Sequence, residues 1–317
     1  MIRNYFLLMK KVLGCALIFL IALLFVLWRP LNCNAEVHAE TKSSDKPTRI
    51  VVFPLFAEEI LLEMVGPDCI VFVGHPYVEN GEAYTPAMDL ARNIPGVHWT
   101  MCEEADFLPL EPDLIILSSD LLDAYKHGSL FPTLAKEDIP ILFLDTPRDL
   151  IGIKNCILEL GECVGEIETA IEMIRKIETE MQCIEETIRT FSVTDELKVV
   201  YYDPWQETFF DAAKFCNAIS PYGSDTDFVV IDDKFIADWN PDVIFFNPVW
   251  RDTDGSILEV GGQYAESIHN ALQSNVHLQS TNAILNEKIY PLNVHSSQYI
   301  IDTIWDMLRS IYGDFER

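Results

Sequence analysis

Positive charge is the scarcest commodity in this sequence: 22 Lys and Arg stand against 50 Asp and Glu in 317 residues, a formal net charge of −28. The first 35 positions hold four of the basic residues and no acid. The remainder therefore sets 18 basic residues against 50 acidic ones, a net charge of about −32. Such a surface repels nucleic acid and anionic lipid; it favours cationic partners or ligands, or serves solubility alone. Metal-type cysteine spacing is also missing. Seven of the eight cysteines lie beyond the apolar amino-terminal run (Cys33, Cys69, Cys102, Cys156, Cys163, Cys183, Cys216), and none forms a CxxC pair. Cys156 and Cys163, seven apart on an expected helix, would be neighbours on one face rather than a cross-link, so buried free thiols are expected.

Catalytic signatures are absent as well. No nucleophile elbow, Walker loop, GxGxxG, HExxH or EF-hand spacing occurs, and Gly261-Gly262 follows no strand in the way a phosphate loop requires. Acidic pairs such as Glu58-Glu59, Glu103-Glu104 and Asp232-Asp233 are what 50 acids produce by chance. No catalytic residue is assigned, and the chain is not read as an enzyme.

The amino terminus carries Arg3, Lys10 and Lys11, then an uncharged apolar run from Val12 to Trp28, and turns polar from Arg29. Residues 1–35 read as an export signal peptide or an uncleaved membrane anchor; a run of about 17 residues is long for the first and at the lower limit for the second. Ala35 and Ala39 offer cleavage points. Cys33 follows the run as a lipidated cysteine would, although Pro30-Leu31-Asn32 lacks the small residues expected before it. A polar tether, 36–48, leads into the folded part.

There a phrase is written twice: Glu111-Pro112-Asp113-Leu-Ile-Ile-Leu and Asn240-Pro241-Asp242-Val-Ile-Phe-Phe. Each reads as a helix stopping at proline and feeding a buried strand. Strands are expected at 49–53, 69–73, 114–117 and 139–144, and again at 198–202, 227–230, 243–246 and 288–292. Helices are expected between them and at 298–311, where Ile300, Ile301, Ile304, Met307, Leu308 and Ile311 share a face. Between the halves, 166–190 contains neither Gly nor Pro and carries apolar residues at helical spacing. The fold class that follows is α/β: two Rossmann-like lobes with parallel sheets, an N-terminal lobe at 49–148 and a C-terminal lobe at 192–317, joined by one long connecting α-helix within 149–191.

In open α/β sheets ligands bind beyond the carboxyl ends of the strands. Those positions hold His75 and Tyr77, then Ser118, Ser119 and Asp120, then Trp205, then Asn247, Trp250 and Arg251, and finally His295. Tyr201 and Tyr202 alternate along a strand, so one faces the core and the other approaches the ligand. Aromatic faces with one arginine and two histidines suit a large, flat or metal-bearing ligand, since stacking supplies area and the guanidinium fixes an anionic group. Two readings stay open for His75 and His295: ordinary cleft-lining side chains, or contacts to a chelated metal. Trp250-Arg251, a large aromatic beside a cation in a loop, is the best ligand-binding pair.

Several segments in order resemble the solute-binding proteins of iron-siderophore, haem and cobalamin ABC importers, across about 49–310. They are Arg49-Ile-Val-Val-Phe-Pro with Glu59-Ile-Leu and Gly66; Leu110-Glu-Pro-Asp-Leu-Ile-Ile; Ile139-Pro-Ile-Leu-Phe-Leu-Asp145; Leu160-Gly161 and Gly165; Asn240-Pro-Asp-Val-Ile; and Ile289-Tyr-Pro. The resemblance implies an exported monomer, in the periplasm or on the outer face of the cytoplasmic membrane. It implies a chelate ligand held between the lobes (ferric siderophore first, then haem or cobalamin), no intrinsic cofactor, and delivery to an ABC permease dimer with its ATPase. It also implies that each lobe docks through a Glu seven residues before the Pro of its Pro-Asp phrase. Those positions are Ala105 and Lys234, so docking passes to the neighbours Glu104, Asp106, Asp232 and Asp233. Two alternatives remain: a chelatase-like enzyme in which His75 and His295 face one another across the cleft, and an anchored sensor or accessory protein without permease coupling.

Overall fold

The computed structural model describes residues 46–75, 85–97, 101–191, 197–202, 209–221, 232–251 and 257–313; for Met88, Phe210, Asp211, 250–251 and 257–259 it describes the backbone only. The expected signal or anchor, most of the tether, Tyr77, Trp205 and the expected strand at 227–230 lie outside these residues.

The first half runs β1 (Ile50–Val52), α1 (Leu55–Met64), β2 (Ile70–Val73), α2 (Pro86–Leu90), α3 (Glu104–Phe107), β3 (Leu114–Ser118), α4 (Leu122–Lys126) and β4 (Ile141–Leu144). Helices α5 (Leu150–Cys163) and α6 (Ile167–Thr190) follow. The second half runs β5 (Leu197–Tyr202), α7 (Phe209–Phe215), β6 (Ala218–Ile219), α8 (Asp233–Trp239), β7 (Val243–Phe246), β8 (Val249–Arg251), β9 (Ile257–Val260), α9 (Gly262–Ser274), α10 (Asn282–Leu285), β10 (Ile289–Pro291) and α11 (Ile300–Tyr312). The two four-stranded sheets are parallel, ordered β2-β1-β3-β4 and β10-β7-β5-β6. Numbered in chain order within its own sheet, and read from the β2 or β6 edge, each runs second, first, third, fourth.

The repeated phrase has the same physical job in both sheets. Glu111 (φ 49°) and Asn240 (φ 51°) end their helices in the left-handed conformation, and the proline that follows prevents continuation. The aspartate then pins the third strand to the start of the first. Asp113 accepts the N–H of Thr48 and of Arg49, both at 2.9 Å, and returns its own N–H to Arg49 O. Asp242 accepts Lys198 N–H at 3.0 Å and returns its N–H to Lys198 O. Even the cation is repeated: Arg49 caps the carbonyls of Leu110 and Glu111, and Lys198 Nζ reaches Trp239 O. Asp113→Ala or Asp242→Ala is expected to cost about 1–2 kcal/mol, the loss of charge-assisted bonds at a wet sheet end, read as a lower urea midpoint. A change under a few tenths would show that these bonds carry no weight.

The connection between halves differs from the expectation of one helix. α5 ends at a turn where Gly165 takes φ 71°, and α6 restarts after it as the long member, 24 residues. The two helices pack so closely that a Cβ on Gly161 would stand 2.5 Å from Ala170 Cβ. One apolar core runs from Ile50, Ile60 and Leu144 through Ile157, Leu160 and Ile177 to Val199, Phe245, Ile304 and Trp305. The halves therefore have separate sheets and share a core, and Val37–Arg317 groups as one compact unit. None of the six described cysteines is in a disulfide.

Candidate functional site

Gly74 closes β2, and its N–H is shared between Val52 O and Glu58 Oε1, each at 2.9 Å. A Cβ at 74 would stand 2.9 Å from Phe53 Cα, so glycine is required for the ends of β1 and β2 to lie this close. His75 then brings both its N–H and its Nδ1 to the same Glu58 oxygen, each at 3.1 Å. Glu58 stands on α1 and is 3% exposed. Burial raises its carboxyl above the ordinary range, opposed by His75 and the Gly74 and His75 N–H groups. This contact fixes the orientation of the imidazole. At the neighbouring strand ends, Ser119 Oγ donates to Asp145 Oδ1, tying β3 to β4.

In the second half the tyrosine pair splits as expected from strand alternation. Tyr201 is the core residue: it stacks on Phe209 and donates its hydroxyl to Leu292 O at 3.1 Å. Tyr202 is half-buried on the other face, where burial and then the Asp233 carboxylate raise its hydroxyl. Trp250 and Arg251 lie in β8, which pairs antiparallel with β9, so the expected loop is a short hairpin. Its sequence signal is Asp254-Gly255 between Val249–Arg251 and Ile257–Val260. The side chains of this pair lie outside the described residues. A cavity of about 340 Å³ at the ends of β7 and β10 is lined by Phe246, Glu266, His269 and Pro291. Sequence reading missed it, because α9 residues carry no strand-end signal.

His295 lies against the next residue of α1. It is 7% exposed, and its Nδ1 lies 3.9 Å from Oε1 of Glu59, the residue after Glu58. Glu58 with His75 and Glu59 with His295 thus make two carboxyl–histidine contacts from consecutive residues of α1. Among the described residues no group of three His, Cys, Asp or Glu side chains is placed to hold a metal. Burial pushes Glu59 up to about 8, the Ser297 and Thr85 hydroxyls opposing and the Glu58 and Glu63 carboxylates assisting. Burial pushes His295 down to about 4.

The signs follow from linkage. Glu59 keeps its proton in the fold where an unfolded chain would lose it, so its contribution is complete below 4.5 and lost as pH rises to about 8. His295 stays neutral where an unfolded histidine would charge, so its contribution is complete above 6.5 and lost as pH falls to about 4. Thermal unfolding is expected to show Glu59→Gln removing the decline between pH 6.5 and 8, and His295→Gln reducing the acid-side decline. An unchanged alkaline slope in Glu59→Gln would contradict the assignment.

Three of the four candidate docking acids have local duties. Glu104 accepts Leu134 N–H at 2.6 Å, Asp106 closes a capping box with Glu103, and Asp232 caps α8 through Phe235 N–H at 2.7 Å. Asp233 sits in the first turn of α8. Lys234 is exposed and bridged to Asp238 at 3.0 Å.

Two like-ordered parallel sheets sharing a core, with polar side chains at their strand ends, define a two-lobed solute-binding architecture. Residues 107–293 match the family model for periplasmic binding proteins, and the chain belongs to that family. The family is one of exported solute-binding proteins and is generally non-enzymatic. Similar solved structures include a periplasmic binding protein from Veillonella parvula (TM-score 0.69, 16% identity, covering 86% of this chain and 94% of that one). A protein of Staphylococcus epidermidis described as a possible iron-binding, periplasmic solute-binding protein gives TM-score 0.65, 14% identity, and 84% and 100% coverage. A periplasmic haem-binding protein of Pseudomonas aeruginosa gives 0.62, 12%, and 85% and 94%. No curated protein matches in sequence.

Proposed function

We propose that this protein captures a metal chelate between its lobes, a ferric siderophore before haem or a corrinoid, and delivers it to an ABC permease dimer with its ATPase. It acts outside the cytoplasmic membrane as a monomer, with residues 1–35 as its export signal or anchor. The observation that carries this reading is His75, held at the carboxyl end of β2 by Glu58 through two contacts to one oxygen that Gly74 N–H also reaches. An imidazole fixed at one nitrogen is held in a set orientation. Ser119, Tyr77, Trp205, Trp250 and Arg251 complete the contact set, with the arginine meeting the anionic part of the chelate. Tyr202 borders it from the α8 side, and His295 is assigned to the joint between lobes instead.

Absorbance and intrinsic-tryptophan titration with ferric siderophores, haem and cobalamin tests the reading. Saturable binding of one of them is expected, weakened at least tenfold by Arg251→Ala, which corresponds to about 1.4 kcal/mol. Absence of binding by every candidate at high micromolar concentration would remove the proposal.

The local duties of the docking acids, with Ala105 and Lys234 at the key positions, favour a second reading in which the protein binds ligand without permease coupling. Transport by a reconstituted importer, stimulated by this protein, would eliminate it.

A further inference from the structure

The buried carboxyl groups and histidine of the described residues, Glu58, Glu59 and His295, all meet at α1. Consecutive helical residues point about 100° apart, and that angle divides the two carboxyls between lobes. Glu58 turns to Gly74 and His75 of its own lobe. Glu59 turns to His295 and Ser297 of the other. Alongside, Gln298 Nε2 bonds Glu59 O at 3.0 Å, and one helical turn further Glu63 Oε1 accepts the Tyr299 hydroxyl at 3.2 Å. The segment 293–299 thus lies along α1 as a seam. Thr303 of α11 secures it from behind, accepting His295 N–H at 3.2 Å and donating to Asn293 O at 2.9 Å.

The two carboxyls are satisfied differently. Glu58 receives N–H donors, which suit an anion. Glu59 has hydroxyls of Ser297 and Thr85 beside it, and its Oε1 is buried without a hydrogen-bond partner. The ionisable groups around it are Glu58 and Glu63 on its own helix, His295 and Tyr299 on the seam, and His75 beyond Glu58. Among the described residues, His295 alone stands within ion-pair distance of Glu59. An anion at this position would face two carboxylates across a dry joint.

We propose that Glu59 is a proton-operated fastening of the seam: the protonated carboxyl keeps 293–299 closed against α1, and loss of that proton to water loosens this segment from α1 while the shared core stays intact. The proposal rests on the two-lobed fold and not on the identity of any ligand. Its operating range is set by the burial that holds the Glu59 proton up to about pH 8.

Amide hydrogen exchange on the full chain, corrected for the intrinsic effect of pH, reads the seam directly. As pH rises from 6.5 to about 8 the wild type is expected to lose about thirtyfold protection, tenfold for each pH unit in which only the closed seam keeps the proton, in 55–65 and 293–303, with no further loss to pH 9, while β3 stays unchanged. Glu59→Gln, which cannot ionise, is expected to keep its pH 6.5 protection at pH 9. Equal losses in wild type and Glu59→Gln, or no loss in wild type, would overturn the proposal. Should Glu59→Gln not fold, His295→Gln decides: it keeps Glu59 and must retain the alkaline loss, and a flat profile in that variant would refute the assignment to Glu59.

Discussion

Glu58→Ala is expected to destabilise the protein by about 2–4 kcal/mol, the cost of a cavity in α1 together with the loss of a buried hydrogen-bond acceptor. The carboxyl is 3% exposed and one of its oxygens gathers Gly74 N–H, His75 N–H and His75 Nδ1. Truncation takes one of two acceptors from Gly74 N–H and the Glu58 oxygen from His75 N–H and Nδ1, in a region where Phe53 Cα already limits rearrangement of Gly74. Glu58→Gln keeps an acceptor oxygen at nearly the same volume, so a smaller loss of about 1–2 kcal/mol is expected. Urea unfolding distinguishes the two. Equal effects would mean that volume, rather than hydrogen bonding, accounts for the role of this side chain.

Trp305→Ala is expected to have an effect of the same size, about 3–5 kcal/mol, through a different cause. Trp305 is 1% exposed in the shared core, and its Nε1 donates to Glu180 Oε2 of α6 at 3.0 Å. It joins α11 to the connecting helix by both packing and a directional bond. Trp305→Phe fills most of the space and deletes the bond, for an expected about 1–2 kcal/mol. A loss below about 1 kcal/mol in the alanine variant would show that the site collapses around the missing ring.

Both sites show how far the sequence could be read. β-Branched and aromatic runs such as Ile50-Val-Val and Val243-Ile-Phe-Phe located strands well, because a parallel strand buried on both faces needs an unbroken apolar run. The repeated Pro-Asp phrase located the third strand of each sheet. One helix was expected within 149–191, whereas the left-handed turn at Gly165 divides two. The antiparallel pair β8 and β9 was missed although Asp254-Gly255 between them is a sequence signal for such pairing.

At the candidate site, His75 was legible from its place after a strand, and its partner was not. Glu58-Glu59 looked like the other acidic pairs. Burial separates them: Glu103 and Asp232 begin helices at the surface, where carboxylates satisfy N–H groups, while Glu58-Glu59 interrupts the otherwise apolar Leu55-Phe-Ala and Ile60-Leu-Leu. Charged residues in the middle of a buried helix were the available signal. Which lobe each would face is a tertiary fact that spacing within one helix does not contain.

The matched strand order has a bearing on the sequence of events in folding. The first sheet is complete by Leu144, and the second by Pro291. Its seam contacts to α1 come from residues after that point, His295 to Tyr299, and α11 follows them. Each sheet can therefore pair its own strands before the last stretch of polypeptide is in place, and union of the halves waits for the carboxyl-terminal tail. A chain in which 293–312 has not yet docked would hold two formed sheets beside an unfilled groove along α1, and docking of that stretch ends the exposure.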